Sequence, residues 1–142
     1  MFYGEYRHTM DEKSRLAIPA RFRPSLPTET MVARWLDSCA AIFPPAQWRD
    51  VTEKLARIPT GDAAGRALRR FITSSAYPVE FDRQGRAVIP QGIREWADLS
   101  GEVVVVGNDD HVELWNPQRW ATYIGGMSSP DVLAEHLQGL GF

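Results

Sequence analysis

Two short stretches of this chain carry one pattern. Asp11-Glu12-Lys13-Ser14-Arg15-Leu16-Ala17-Ile18-Pro19 continues to Arg23, and Asp82-Arg83-Gln84-Gly85-Arg86-Ala87-Val88-Ile89-Pro90 continues to Arg94. Both read Asp-x-x-x-Arg-x-x-Ile-Pro-x-x-x-Arg, with every matched position 71 residues apart. A second match follows, where Pro45-Ala46-Gln47-Trp48 returns as Pro117-Gln118-Arg119-Trp120, now 72 residues apart. An internal duplication constrains the fold more than any other feature. Each half has about 70 residues, near the lower limit for burying a core of its own. The halves are therefore expected to pack on each other as one pseudo-symmetric body.

Within the first half, Glu5-Tyr6-Arg7-His8-Thr9 has the aromatic and β-branched character of a strand. Asp11 to Ser14 reads as a polar turn and Arg15 to Ile18 as the returning strand. Pro19 suits the first turn of a helix, so Ala20-Arg21-Phe22-Arg23 is expected to be a short helix ahead of Pro24. Met31 to Trp35 and Ala40 to Phe43 form a second strand pair around Leu36-Asp37-Ser38-Cys39. Pro45 opens a helix carrying Trp48, Val51, Leu55 and Ile58 at helical spacing. Past Pro59-Thr60-Gly61, Asp62 is the expected N-cap of another helix, with Ala64, Leu68, Phe71 and Ile72 as its buried stripe. Arg66, Arg69 and Arg70 lie on that helix and read as a solvated face, with a phosphate contact as the alternative.

The order then repeats: a strand at Tyr77 to Phe81, a turn, a return at Arg86 to Ile89, and a helix from Pro90 to Trp96. Val103 to Val106 and Val112 to Trp115 give the second hairpin, Pro117 opens the closing helix, and Asp131 to Leu137 form a last short one. The fold expected is α+β and β-rich, built from duplicated β-β-α-β-β-α half-units. The first repeat covers 1–58, a connecting helix 59–75, the second repeat 76–126, and a C-terminal tail or helix 127–142.

A net charge of −2 speaks at first against a nucleic-acid partner. Its distribution differs. Residues 1–94 hold 15 Arg and Lys against 10 Asp and Glu, a balance of +5; residues 95–142 hold Arg119 against 8 acids, a balance of −7. Local potential, not net charge, steers a polyanion. Cys39 is the single cysteine, which excludes an intrachain disulfide and a Cys-rich metal site. His8, His111 and His136 show no metal spacing, and neither a nucleophile motif nor a glycine-rich phosphate loop is present. No catalytic residue, metal, cofactor or small-molecule substrate is expected. No basic stretch followed by an apolar one opens the chain, and no apolar run approaches the ~20 residues that cross a bilayer. An intracellular, soluble protein without a membrane partner is the expectation.

An Asp four residues ahead of an Arg, across a tight turn, brings carboxylate to guanidinium and can accept the turn's backbone N–H groups. A long side chain is thereby held in one orientation. Guanidinium is a planar fork that matches phosphate oxygens, or the O6/N7 edge of guanine, with two bonds at once. An exposed pair of this kind contributes only about 0–1 kcal/mol to stability, so two copies are hard to explain as staples alone. The Ile-Pro half reads as architecture, a buried strand end followed by a helix start. Arg23 and Arg94 read as partners of helix C-terminal dipoles in preference to ligand contacts.

The opening Met1-Phe2-Tyr3-Gly4-Glu5-Tyr6, the run from His8 to Ala20 and the second Asp82/Arg86 motif together resemble the MraZ family. These are bacterial transcriptional regulators built from two tandem SpoVT-AbrB-type domains, and the resemblance spans essentially the whole chain. It implies a swapped-hairpin, cradle-loop type β-barrel formed by both halves, with flanking helices. It also implies a ring-shaped, nucleoid-associated homo-oligomer that binds repeated double-stranded DNA boxes in the promoter of the division and cell-wall gene cluster and represses it, its own gene included. By the motif correspondence Arg15 and Arg86 take the DNA-contact role, with Asp11 and Asp82 as the turn partners that orient them. Lys13 and Arg83 are further DNA-binding candidates. Ser14 stands where the family commonly has Gly; if that position needs a positive φ, Ser carries strain there. The alternative reading of the same residues is an oligomeric interaction module whose Asp–Arg pairs serve assembly only.

Overall fold

In the computed structural model, which describes residues 1–142, the run Val103 to Val106 is buried at every position. A strand manages this only where both faces of its sheet are covered. Eight strands supply the β structure: β1 (Glu5–Thr9), β2 (Arg15–Ala17), β3 (Met31–Arg34), β4 (Ala40–Phe43), β5 (Tyr77–Pro78), β6 (Arg86–Val88), β7 (Glu102–Asn108) and β8 (His111–Trp115). Five helices complete the fold: α1 (Pro45–Ala56), α2 (Ala63–Thr73), α3 (Gln91–Ala97), α4 (Pro117–Gly125) and α5 (Pro130–Gln138). The fold is α+β with antiparallel pairing, and its strands come in two repeated sets. Six strands form one sheet in the order β1-β7-β8-β4-β3-β5, while β2 and β6 form a separate ribbon.

The halves exchange strands. β1 lies on β7 and β5 on β3, so the first strand of each half pairs with the other half. β2 pairs with β6 and not with β1, which corrects the local reading of Arg15 to Ile18 as a strand returning on its predecessor. Register makes the symmetry explicit. Leu16 faces Ala87, with Arg15 opposite Val88 and Ala17 opposite Arg86; each residue's partner is the repeat counterpart of its neighbour across the centre. In the main sheet Ala41 faces Glu113, with Ala40 opposite Leu114 and Ile42 opposite Val112. A pseudo-two-fold axis passes through both pairs.

This exchange creates the core. Nineteen buried residues from both halves form one cluster, including Leu16, Ile18, Ala87 and Ile89 from the two motifs and Val103, Val105, Val112 and Leu114 from the sheet. Both Ile-Pro isoleucines are buried, Ile18 and Ile89, as an architectural role requires. Alternation sends Val104 and Val106 to the opposite face, where they meet Cys39 and Trp115 under Trp35 and Trp120. One aromatic contact appears in each half: Phe43 lies 5.8 Å from Trp48, and its counterpart Trp115 lies 5.2 Å from Trp120.

Three local expectations need correction. The helix foreseen after Pro19 is a turn followed by one 3-10 turn at Arg23–Ser25, whereas its counterpart α3 is α-helical. Pro24 explains the difference, since it has no N–H to donate to the Ala20 carbonyl, the bond an α-helix would need there. The stripe foreseen on α2 is buried only at Ile72, with Gly65 beside it; Leu68 is half exposed, and Phe71 is partly exposed with its ring 5.1 Å from that of Trp96. β5 is shorter than the strand foreseen to Phe81, continuing only as an isolated bridge between Phe81 and Ala87. Asp62 does cap α2, its carboxylate accepting from the Gly65 N–H at 3.0 Å.

α1, α4 and α5 bury no residue completely. Tyr123, Ile124, Met127, Leu133, Leu137, Leu140 and Phe142 are exposed along the last two helices and the tail. No helix is long and apolar enough to cross a membrane.

Candidate nucleic-acid interface

Residues directly opposite in an antiparallel ribbon project to the same face, and alternate residues share it. Leu16 and Ala87 point into the core, so Arg15, Ala17, Arg86 and Val88 lie together on the outer face of β2–β6. Arg15 and Arg86 stand diagonally about the pseudo-axis. Both line one shallow hollow with Glu80, Phe81 and Asp82. Two residues far apart in the chain thus form one site.

Each arginine is held by its own turn in the same way. Asp11 Oδ1 accepts from the backbone N–H of Lys13 and of Arg15, both at 2.9 Å, and Oδ2 accepts from Arg15 Nε at 2.7 Å. Asp82 Oδ1 accepts from the N–H of Gln84 and of Arg86, both at 2.9 Å, and Oδ2 from Arg86 Nε at 2.9 Å. The Arg15 backbone N–H, more than the guanidinium charge, holds the Asp11 carboxyl below the usual carboxylate range. The Arg86 N–H does the same for Asp82. Because Nε takes the carboxylate, the terminal nitrogens at the end of the fork remain for another partner. The two turns differ in one bond: Arg86 Nη1 also reaches Asp11 Oδ2 at 3.5 Å, linking the copies, while Arg15 keeps both terminal nitrogens free.

Ser14 adopts a φ of 61°, and its counterpart Gly85 a φ of 74°. The position does take a left-handed conformation, the condition on which strain at Ser14 depended, and Ser14 carries the strain that Gly85 escapes. Lys13 and Arg83 are exposed in the same turns. They are not repeat counterparts, since Lys13 matches Gln84 and Arg83 matches Glu12. On α2, Arg69 and Arg70 are exposed, and Arg66 donates to the Thr60 carbonyl at 2.7 Å.

Arg23 and Arg94 do more than meet helix ends. Arg94 Nη1 donates to Ser14 Oγ and to the Ile89 carbonyl, and the Arg23 guanidinium packs on Gly85. Sequence reasoning missed this crossing, and the only hint of it was the Ser/Gly mismatch at the turn. It also missed a half-buried polar network at the other end of the axis. There Glu113 accepts from His111 Nε2 at 2.8 Å, Trp115 Nε1 at 3.0 Å and Asn108 Nδ2 at 3.1 Å.

A family described as "MraZ protein, putative antitoxin-like" matches residues 1–71 and matches again over residues 72–137. The chain belongs to the MraZ family. Its MraZ relatives include a protein of Roseiflexus castenholzii, 40% identical over 143 residues and covering 100% of both chains. One from Moorella thermoacetica is 44% identical over 138 residues, covering 96% of each, and one from Leuconostoc mesenteroides is 43% identical over 123 residues, covering 87% of this chain and 86% of its own. All three are called transcriptional regulator MraZ. The two MraZ matches meet inside α2, the helix that leads from one Asp–Arg turn toward the other.

Proposed function

We propose that this protein is a transcriptional regulator that binds double-stranded DNA through Arg15 and Arg86, with Asp11 and Asp82 as their orienting partners and Lys13 and Arg83 as flanking contacts. The observation that carries this reading is the anchoring of each arginine by Nε on a turn aspartate, with both terminal nitrogens of Arg15 and Nη2 of Arg86 left free on an outward face. A side chain held this way loses little freedom when it binds, and its fork suits a phosphate or a guanine edge. Two such forks on one ribbon cover a short stretch of duplex.

The name shared by the relatives supports regulation of transcription, and the family resemblance supports repression of a division and cell-wall gene cluster, its own gene included. One pair of arginines binds weakly. Several copies in a ring, set against repeated promoter boxes, gain affinity through effective concentration. Exposed apolar side chains on α4 and α5 support assembly into such a homo-oligomer, because helices of nine residues are marginal without a packing partner. Association with the nucleoid follows from the same reading.

The second reading, an assembly module in which the Asp–Arg pairs only staple the ribbon, draws on the Arg86–Asp11 contact that already ties the copies together. Arg15→Ala, Arg86→Ala and the double substitution separate the two. Binding to a fragment of the protein's own promoter is measured at several salt concentrations, with particle mass followed alongside. The DNA reading expects weaker binding and a salt slope reduced by about one for each phosphate that is no longer neutralised, with mass unchanged. Unchanged affinity and slope in intact oligomers defeats it, and loss of the oligomer favours the staple. Arg69→Ala and Arg70→Ala are expected to be nearly silent.

A further inference from the structure

Arg23 and Arg94 close the two copies of the motif, and each guanidinium lies on the turn of the other copy. Arg94 donates from Nη1 to Ser14 Oγ and to the Ile89 carbonyl at 3.3 Å. Arg23 packs against Gly85, where a Cβ would collide with its guanidinium. Its Nε is buried with no hydrogen-bond partner, so it supports that turn by contact alone. The backbone crosses in the same sense: Ile89 N–H donates to the Ser14 carbonyl at 2.9 Å, and Ile18 N–H donates to the Gly85 carbonyl at 3.2 Å. Ser14 and Gly85 are the residues immediately before Arg15 and Arg86, and both hold a positive φ. Whatever holds that backbone angle sets the direction in which the next side chain leaves.

We infer that Arg94 and Arg23 are positioning residues acting crosswise: Arg94 of the second copy aims Arg15 of the first, and Arg23 of the first copy aims Arg86 of the second. The two braces are unequal. Arg94 holds its turn by one hydrogen bond, to Ser14 Oγ, and Arg23 holds its turn by packing beneath a glycine. An arginine-bearing turn therefore depends on the opposite half of the chain, and a half-unit by itself presents its arginine without a brace. The inference rests on the DNA-contact reading for its functional consequence, and on geometry alone for the bracing.

Hydrogen–deuterium exchange of the full-length protein, without DNA, tests the bracing directly. Arg94→Lys and Ser14→Ala are expected to speed exchange in residues 11–17 and leave residues 82–88 unchanged; Arg23→Ala should do the reverse. Equal acceleration of both turns, or acceleration confined to a residue's own copy, overturns the inference whatever DNA binding shows. The consequence is read by double-mutant cycles with the promoter fragment. Arg94→Lys should weaken binding roughly three- to tenfold, with no further weakening once Arg15 is Ala and the full effect retained when Arg86 is Ala. Equal effects in both backgrounds mean general destabilisation and sink the proposal. Should Arg15→Ala and Arg86→Ala leave affinity untouched, the DNA-contact reading fails, and the exchange pattern still decides the bracing.

Discussion

Leu16 and Ala87 face each other at the centre of the β2–β6 ribbon, although each is the other's counterpart in the repeat. The pseudo-two-fold axis therefore runs between a large and a small apolar residue, both fully enclosed. Leu16 fills the space that Ala87 leaves. Truncating it to Ala removes packing from both halves at once. Leu16→Ala is expected to cost about 2–5 kcal/mol in urea unfolding, as buried leucine truncations do. Retention of wild-type stability would show that the ribbon is not part of the shared core.

Asp11 accepts from both arginines, whereas Asp82 accepts from Arg86 alone. Asp11→Asn should therefore weaken promoter binding more than Asp82→Asn does, by roughly three- to tenfold against a smaller effect. Paired titrations at one salt concentration make the comparison. A larger effect at Asp82 would mean that the 3.5 Å contact between copies has no role in presenting the forks.

The two turns should respond unequally to exchange of their positive-φ residues. Gly85→Ser places a Cβ against the Arg23 guanidinium at a φ of 74°, and a loss of about 1–3 kcal/mol or more is expected. Ser14→Gly relieves a φ of 61° but deletes the acceptor for Arg94. These effects offset, so stability should stay within about 1 kcal/mol of the parent. Chemical denaturation of the two variants side by side checks both.

His111 predicts a pH dependence. Burial alone would lower its pKa, but the bonds to Glu113 and Asp110 outweigh that and raise it above the ordinary 6.5. Burial would likewise raise Glu113, yet His111, Trp115 and Asn108 hold it below the ordinary 4.5. A raised histidine stabilises the fold fully below 6.5 and loses that contribution as pH climbs through the folded value. A lowered glutamate stabilises above 4.5 and loses its contribution as pH falls. The pair is thus most stabilising between those limits. Thermal midpoints should decline from pH 6.5 into the alkaline range, and His111→Gln should flatten that decline.

Cys39 is enclosed, and burial, reinforced by the charges of Glu113 and Asp37, pushes its thiol far above the usual range. The native protein should resist a thiol-specific disulfide reagent at about pH 8 and react fully once unfolded in guanidinium. Rapid reaction in the native state would mean that this face of the sheet opens readily.

Much of the fold was legible because it is local. Hydrophobic period and proline placement mark α1, α4 and both long hairpins, and the aspartate–arginine turns follow from short-range hydrogen bonding between residues four apart. Pro24 shows the limit of arguing from repeats, since one substitution replaced a helix by a 3-10 turn. Leu68 and Phe71 show the limit of periodicity, which finds an apolar face but not what covers it.

Residue pattern alone establishes two copies of one unit, an aspartate in each able to anchor an arginine, and isoleucines beside them that belong to the interior. Which strand pairs with which emerges only once the halves pack together. Exchange of β1 and β5 between halves, with β2 laid against β6, brings Arg15 beside Arg86, Arg94 onto Ser14 and Arg23 onto Gly85. A strand's pattern specifies which face is buried but not its neighbour. A half too small to enclose its own core closes it with strands from the other half, and every contact across that closure lies beyond the range of local sequence.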